Sequence, residues 1–182
     1  MSMEYFRISQ DKRYTHPPVI TNLNDIIQRR TQLSEEEAQE VADINVAFAK
    51  PEKTLDFVDV LDSQMFLVGE QVRDVFGMYE PLLTFKSVCI LNNMTGDYRN
   101  YYAPVFRTID CYSEKSEANR NRSIIEKLVL RESEIRNLGI FKVGNVGTEV
   151  VVIRLDVAES LLRRGICQFW LERVQLEGEK SL

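Results

Sequence analysis

Residues 65–88, MFLVGEQVRDVFGMYEPLLTFKSV, decide how the rest of the chain is read. The opening MFLV is a short apolar strand. Val72, Val75, Phe76 and Tyr79 then recur at i, i+3, i+4 and i+7, which predicts a helix over 70–79 with one apolar face. Pro81 forbids continuation, because its ring clashes with the preceding turn and it has no N–H to donate. Residues 82–91 then read as a second strand. This is a strand-helix-strand unit, and a helix apolar on one face must cover a sheet.

Residues 150–174, VVVIRLDVAESLLRRGICQFWLERV, have the same plan. Val157 stands where Val72 does, Glu159 where Asp74 does, and Leu161 where Phe76 does. A one-residue slip near the breaker sets Val174 against Val88, and each second strand carries an aromatic, Phe85 or Trp170. Asp156 is the expected cap of this helix and Gly165 its stop. The likeness is either a duplication or the common grammar of strand-helix-strand units. On either reading the expected fold is α+β: a mixed or antiparallel sheet with short helices packed on it, in one domain spanning 1–182.

Outward from these units the signals are shorter. EYFRI at 4–8 is an opening strand, and Pro17-Pro18 keep 15–21 extended. Residues 34–49 are expected to form a helix. Ser34 and Glu37 make a capping box, Glu35, Glu36 and Glu37 suit the positive end of the dipole, and Ala38, Val41, Ile44, Asn45 and Phe48 follow helical spacing. Residues 55–68 predict two short strands about a turn at Asp62-Ser63. Residues 101–111 read as a strand in which Pro104 asks for an edge or a bulge. SEKSEANRNRS at 113–123 is a surface loop bearing Arg120 and Arg122. Strands are expected at 124–130, 140–143 and 166–174, with a short helix over 132–137, a turn at 144–147 and a polar, frayed end at 177–181.

Composition narrows the function. Hydrophobic residues make up 44% and charged residues 28%, ordinary globular usage, and Lys+Arg number 23 against 28 Asp+Glu. A formal charge of −5 gives no general attraction to phosphate backbones or anionic lipid, so neither nucleic acid nor membrane is an expected partner. The opening MSMEYFRIS lacks a signal-peptide pattern, and no apolar run approaches the roughly 20 residues of a membrane helix. The expected location is cytoplasmic. Cys89, Cys111 and Cys167 each sit in an apolar run and read as free, buried thiols.

Catalytic motifs are lacking. His16 is the one histidine, no cysteine cluster assists it, and no phosphate-binding glycine loop, serine elbow or zinc helix motif occurs. Asp56, Asp59 and Asp62 interrupt an apolar run. On a strand Asp59 faces away from the other two, so a joint metal site is unsupported and all three read as solvent-facing. No catalytic residue, metal or cofactor is assigned.

Three stretches carry a resemblance: the EYFRI strand with MFLVGEQVRDVFGMYEPLLTFKSVCILN, then IIEKLVLRESEIRNLGIFKV, then VVVIRLDVAESLLRRGICQFWLERVQL. Together they resemble the bacterial immunity protein eleven family, which accompanies polymorphic toxins. The likeness covers about half of the chain and is one of hydrophobic pattern. It departs where serine often opens the family's helices, here Gly69-Glu70 and Arg154-Leu155-Asp156, and residues 31–50 have no counterpart. The resemblance implies a cytoplasmic protein that binds and occludes a cognate toxin effector, without catalytic residues of its own. It transfers no contact residues. The candidates offered by the residues themselves are the surface acids Glu35, Glu36, Glu37 and Asp59, whose charge would suit a basic toxin. Two other classes stand beside this one: a hydrolase or nucleotide-modifying enzyme built from scattered carboxylates, and a scaffold or dimerisation module whose sheet edge recruits a partner or second copy.

Overall fold

The computed structural model describes residues 3–27 and 33–178. Its first part runs β1 (Tyr5–Ser9), α1 (Leu23–Ile26), α2 (Glu35–Ala38), β2 (Ile44–Phe48), β3 (Val60–Leu61), β4 (Leu67–Gly69), α3 (Glu70–Tyr79), β5 (Thr84–Leu91) and β6 (Tyr98–Val105). The second continues with β7 (Thr108–Ile109), β8 (Glu117–Ala118), β9 (Ile125–Lys127), β10 (Val129–Leu130), α4 (Glu132–Ile135), β11 (Ile140–Val143), β12 (Val151–Arg154), α5 (Leu155–Arg163), β13 (Trp170–Arg173) and β14 (Gln175–Leu176). Short helices on mixed sheets make this an α+β fold, as the two strand-helix-strand units require. No helix among the described residues is long and apolar enough to cross a membrane.

Two five-stranded sheets organise the molecule, ordered β2-β5-β6-β4-β3 and β13-β1-β12-β11-β7. Four strands of each repeat one plan, and the fifth, β2 beside β5 or β7 beside β11, is added at opposite ends. In one sheet β4 and β5, joined by α3, both run antiparallel to β6 between them. In the other β12 and β13, joined by α5, both run antiparallel to β1 between them. A preceding strand flanks each unit antiparallel, β3 on β4 and β11 on β12. The central strand follows its unit in one half and comes from the start of the chain in the other. The resemblance between 65–88 and 150–174 therefore extends to a strand that neither stretch contains.

The two helices meet where the inner faces of both sheets converge. Val72, Val75 and Phe76 of α3 share one core with Val157, Ala158 and Leu161 of α5, and with Ile8, Val68, Val151 and Ile153 from the sheets. Removing such faces from water, at about 25 cal/mol per Å² of apolar surface, is what favours this arrangement. The outer faces have their own cores, around Val88, Ile90 and Tyr101 in one sheet and around Tyr5, Phe141 and Val152 in the other.

Several expectations are corrected. The helix expected over 34–49 stops after α2, and Ile44–Phe48 is a strand paired parallel with β5. Ser34 and Glu37 do form the capping box. Beyond it INVAF also alternates, and β-branched Ile44 and Val46 suit a ladder better than a helix. Asp156 is not the cap of α5. That position is Arg154, and Asp156 takes two bonds from the Arg154 guanidinium, each 2.8 Å. Gly165 does end the helix, at φ +75°. The strand expected over 166–174 is confined to Trp170–Arg173, because Asp59 clamps the backbone of Gln168 from both sides. The strand expected over 101–111 breaks at Phe106, where the chain crosses from one sheet to the other. Pro104 is tolerated because β4 pairs only with Tyr101 and Tyr102, leaving Pro104 with β5 alone. Of the frayed end expected over 177–181, residues 179–181 lie outside the described residues.

A candidate protein interface

The inner face of the β2-to-β3 sheet continues beyond α3 and is left open at its β2 end. Strand registers set three rows across it: Ile44, Ser87 and Tyr102; Val46, Cys89 and Asn100; Phe48, Leu91 and Tyr98. Period-two alternation puts Ala47 in the opposite core and turns Ile44, Val46 and Phe48 outward. Ile44 is 77% exposed, Val46 51% and Tyr98 65%. Contiguous exposed apolar residues of this kind are unusual on a monomer and mark interaction surfaces.

Carboxylates border this face. Asp43, although next to Ile44, holds Lys86 of the outer face at 2.7 Å and so turns away from this one. Asp97 adjoins Tyr98, and Asp74 and Glu70 lie along α3, where Arg73 stacks 4.1 Å over the Tyr102 ring. Lys50 follows β2 as an exposed cation. The free edge of β2 is not available for strand addition over most of its length. The Asn22 amide donates to Val46 O at 3.1 Å and its Oδ1 accepts from Phe48 N at 2.8 Å, while Thr21 N donates to Phe48 O. Contact here is therefore through side chains of the face.

The acids singled out from sequence separate. Glu35 and Glu36 are exposed on α2, and Glu37 is committed to the capping box. Asp59 is not a surface acid, being 7% exposed. Its Oδ1 accepts from Arg99 at 2.9 Å and its Oδ2 from Gln168 N at 3.0 Å. Asp56 and Asp62 are half-buried and accept from the backbones of His16 and Gln10. Each aspartate thus fastens a different distant segment. Among the described residues no group of three or more metal-ligating side chains converges. Cys111 is buried, which pushes its thiol up to about 12, but Cys89 is half-buried on the open face and Cys167 is exposed, against expectation. In the polar loop Arg122 is engaged by Asn145 O and Glu114.

A second concave region, of about 580 Å³, opens on the outer face of the β13-to-β7 sheet. Arg7, Ser9, Trp170 and Glu172 form its base, with Lys12, Arg13, Asp62, Thr148 and Glu149 around them. Asp11 is wholly buried and held below the usual carboxylate range by hydrogen bonds from Arg13, whose guanidinium also lies over the Trp170 ring. Glu149 is pushed up to about 7, chiefly by burial, against the opposing pull of Lys142 and the Phe66 N–H. Sequence reasoning missed Glu149 and the buried Lys142, whose Nζ donates to Leu33 O at 3.2 Å. Neither lies in a motif, and only the fold brings them together.

The arrangement defines an α+β protein with a duplicated sheet plan and an open, acid-bordered apolar face. No protein-family model matches the chain, and no curated protein does.

Proposed function

We propose that the chain is an immunity protein, which neutralises a cognate bacterial toxin in the cytoplasm by binding and occluding it. The reading rests on the pattern resemblance of 65–88 and 124–174, and the observation that carries it is the face built on Ile44, Val46 and Phe48. An apolar centre bordered by Glu70 and Asp74 of α3 has the anatomy of a protein interface and favours a partner with a basic rim. Co-expression with the toxin encoded by the neighbouring upstream gene, followed by size-exclusion chromatography and a growth assay, tests it. A stoichiometric complex and restored growth are expected; neither complex nor rescue would refute the reading for that pair.

One observation favours an enzyme instead. Asp62 and Glu149 line one concavity, and a carboxyl raised to about 7 is suited to acid-base work. This reading ranks second because Asp62 is bonded to Gln10 N and Asp11 to Arg13. Hydrolysis of a substrate panel, abolished in Glu149→Gln, would raise it to first.

A further inference from the structure

The duplicated plan makes the two outer faces directly comparable. Arg7 lies opposite Glu172 and Ser9 opposite Trp170 in one sheet; Ala103 lies opposite Lys86 and Val105 opposite Thr84 in the other. These four pairs are equivalent, counted from Tyr5 and Tyr101. Thr84, Lys86 and Val105 line a cleft of about 310 Å³ together with Glu35, Ala38 and Gln39. α2 borders that cleft, and Ala38 and Val41 pack into the same core as Ala103. At the equivalent place in the other half the larger concavity over Arg7 and Trp170 is open, edged by Lys12 and Arg13.

The base of that concavity is equipped for an occupant. Arg7 is the one half-buried arginine among the described residues that makes no side-chain hydrogen bond or ion pair. Glu172, its neighbour across the strands, also makes none, and Trp170 is 50% exposed. Trp and Arg are the residues that most often anchor protein contacts. One charge is inverted relative to the cleft beside α2, since Glu172 stands where Lys86 does. In that cleft Lys86 shares the lining with the acidic Glu35 of α2.

We infer that this groove receives a short segment of the partner protein, lying where α2 lies in the other half. The segment sets a Lys or Arg against Glu172, and a carboxylate or backbone carbonyl against Arg7, beside Trp170. The inference rests on the immunity reading, because the toxin is the partner that supplies the segment.

Trp170 is the only tryptophan, so 5-fluorotryptophan gives one fluorine NMR signal located in the groove. The probe is the purified toxin domain encoded by the neighbouring gene. The expected result is a shift of that signal at stoichiometric toxin, with Arg7→Glu and Glu172→Lys each weakening the complex by roughly tenfold or more. Both sites are on the surface of a sheet, and unchanged circular dichroism confirms folding. A complex that forms with wild type but leaves the signal unmoved, and with both variants at full affinity, overturns the groove while leaving the immunity reading intact. Absence of any complex with wild type removes the immunity reading and the groove with it.

Discussion

Tyr5 and Tyr101 occupy the same position in the two halves of the molecule. Tyr101 lies opposite Gly69 and Val88, and Tyr5 lies opposite Arg154 with Val174 N donating to its carbonyl. Gly69 and Arg154 are the N-cap residues of α3 and α5. Both tyrosines are fully buried, and each hydroxyl donates to a backbone carbonyl: Tyr101 to Val58 O at 2.8 Å, Tyr5 to Ile135 O at 2.7 Å. Each therefore ties the centre of its sheet to the segment that leads into the flanking strand. Tyr101→Phe leaves Val58 O without its donor and should cost about 1–2 kcal/mol; Tyr5→Phe should cost less, because Leu138 N also donates to Ile135 O. Urea denaturation of the two variants measures this, and a neutral effect at both would contradict the pairing.

Asp59 fastens the halves together through Gln168 and also holds Arg99. Asp59→Ala leaves Arg99 Nη2 and the Gln168 N–H without their acceptor, while Arg99 Nη1 keeps Phe57 O, and should destabilise by about 2–3 kcal/mol. Gly69 belongs to the same device. A Cβ there would meet Arg99 Nη2 at 2.7 Å. Gly69→Ser should displace the flexible Arg99 side chain at a cost of about 1 kcal/mol. The double variant should cost less than the sum of the two, since both remove one interaction. Simple additivity in denaturation would show that they act separately.

Glu149 sets a pH dependence. Its folded value of about 7 lies above the ordinary 4.5, so between these values the folded chain keeps a proton the unfolded chain has released. Stability then falls as pH rises through that window. Glu149→Gln should stabilise by roughly 2–3 kcal/mol at about pH 8 and have little effect at about pH 4. Equal effects at both pH values would show that Glu149 titrates normally.

The open face yields a variant that separates binding from folding. Val46→Lys places a charge on an exposed position of β2 and should leave the melting temperature nearly unchanged. Its expected effect is on the toxin complex, which should weaken by roughly tenfold or more. Pull-down affinity with the neighbouring toxin domain decides it; full binding would exclude this face.

Asn22 is the guard on β2. Asn22→Ala frees Val46 O and Phe48 N at the sheet edge beside exposed Ile44 and Val46. Concentration-dependent self-association, visible by light scattering, is expected because an unguarded edge pairs with another chain. A variant that stays monomeric would show that the Thr21 contact alone closes the edge.

The sequence made the two units legible because Val72, Val75 and Phe76, like Val157 and Leu161, obey a strict period and end at Pro81 or Gly165. It misled at Ile44–Phe48, where helical and alternating periods coexist and the parallel partner β5 lies far along the chain. Asp59 was legible as an interruption but not as buried, because its partners Arg99 and Gln168 are long-range. The open face was hidden by the same misreading of β2. Arg7 and Trp170 carry no local signal of a groove, which follows only from the register of β1 with β13.

Strand β1 lies between β13 and β12 in a sheet whose other members all come from the second half of the chain. During synthesis β2 to β6 can complete their sheet while β1 waits with both of its edges unsatisfied. It pairs only when β12 and β13 emerge. Val174 N bonded to Tyr5 O also brings the two extremities of the fold side by side. A circular permutant that joined them across a short linker and opened the chain at the crossing near Phe106 would therefore place β1 directly after its own unit. The two halves would then read along the chain as consecutive copies, and each could form as its own strands appear.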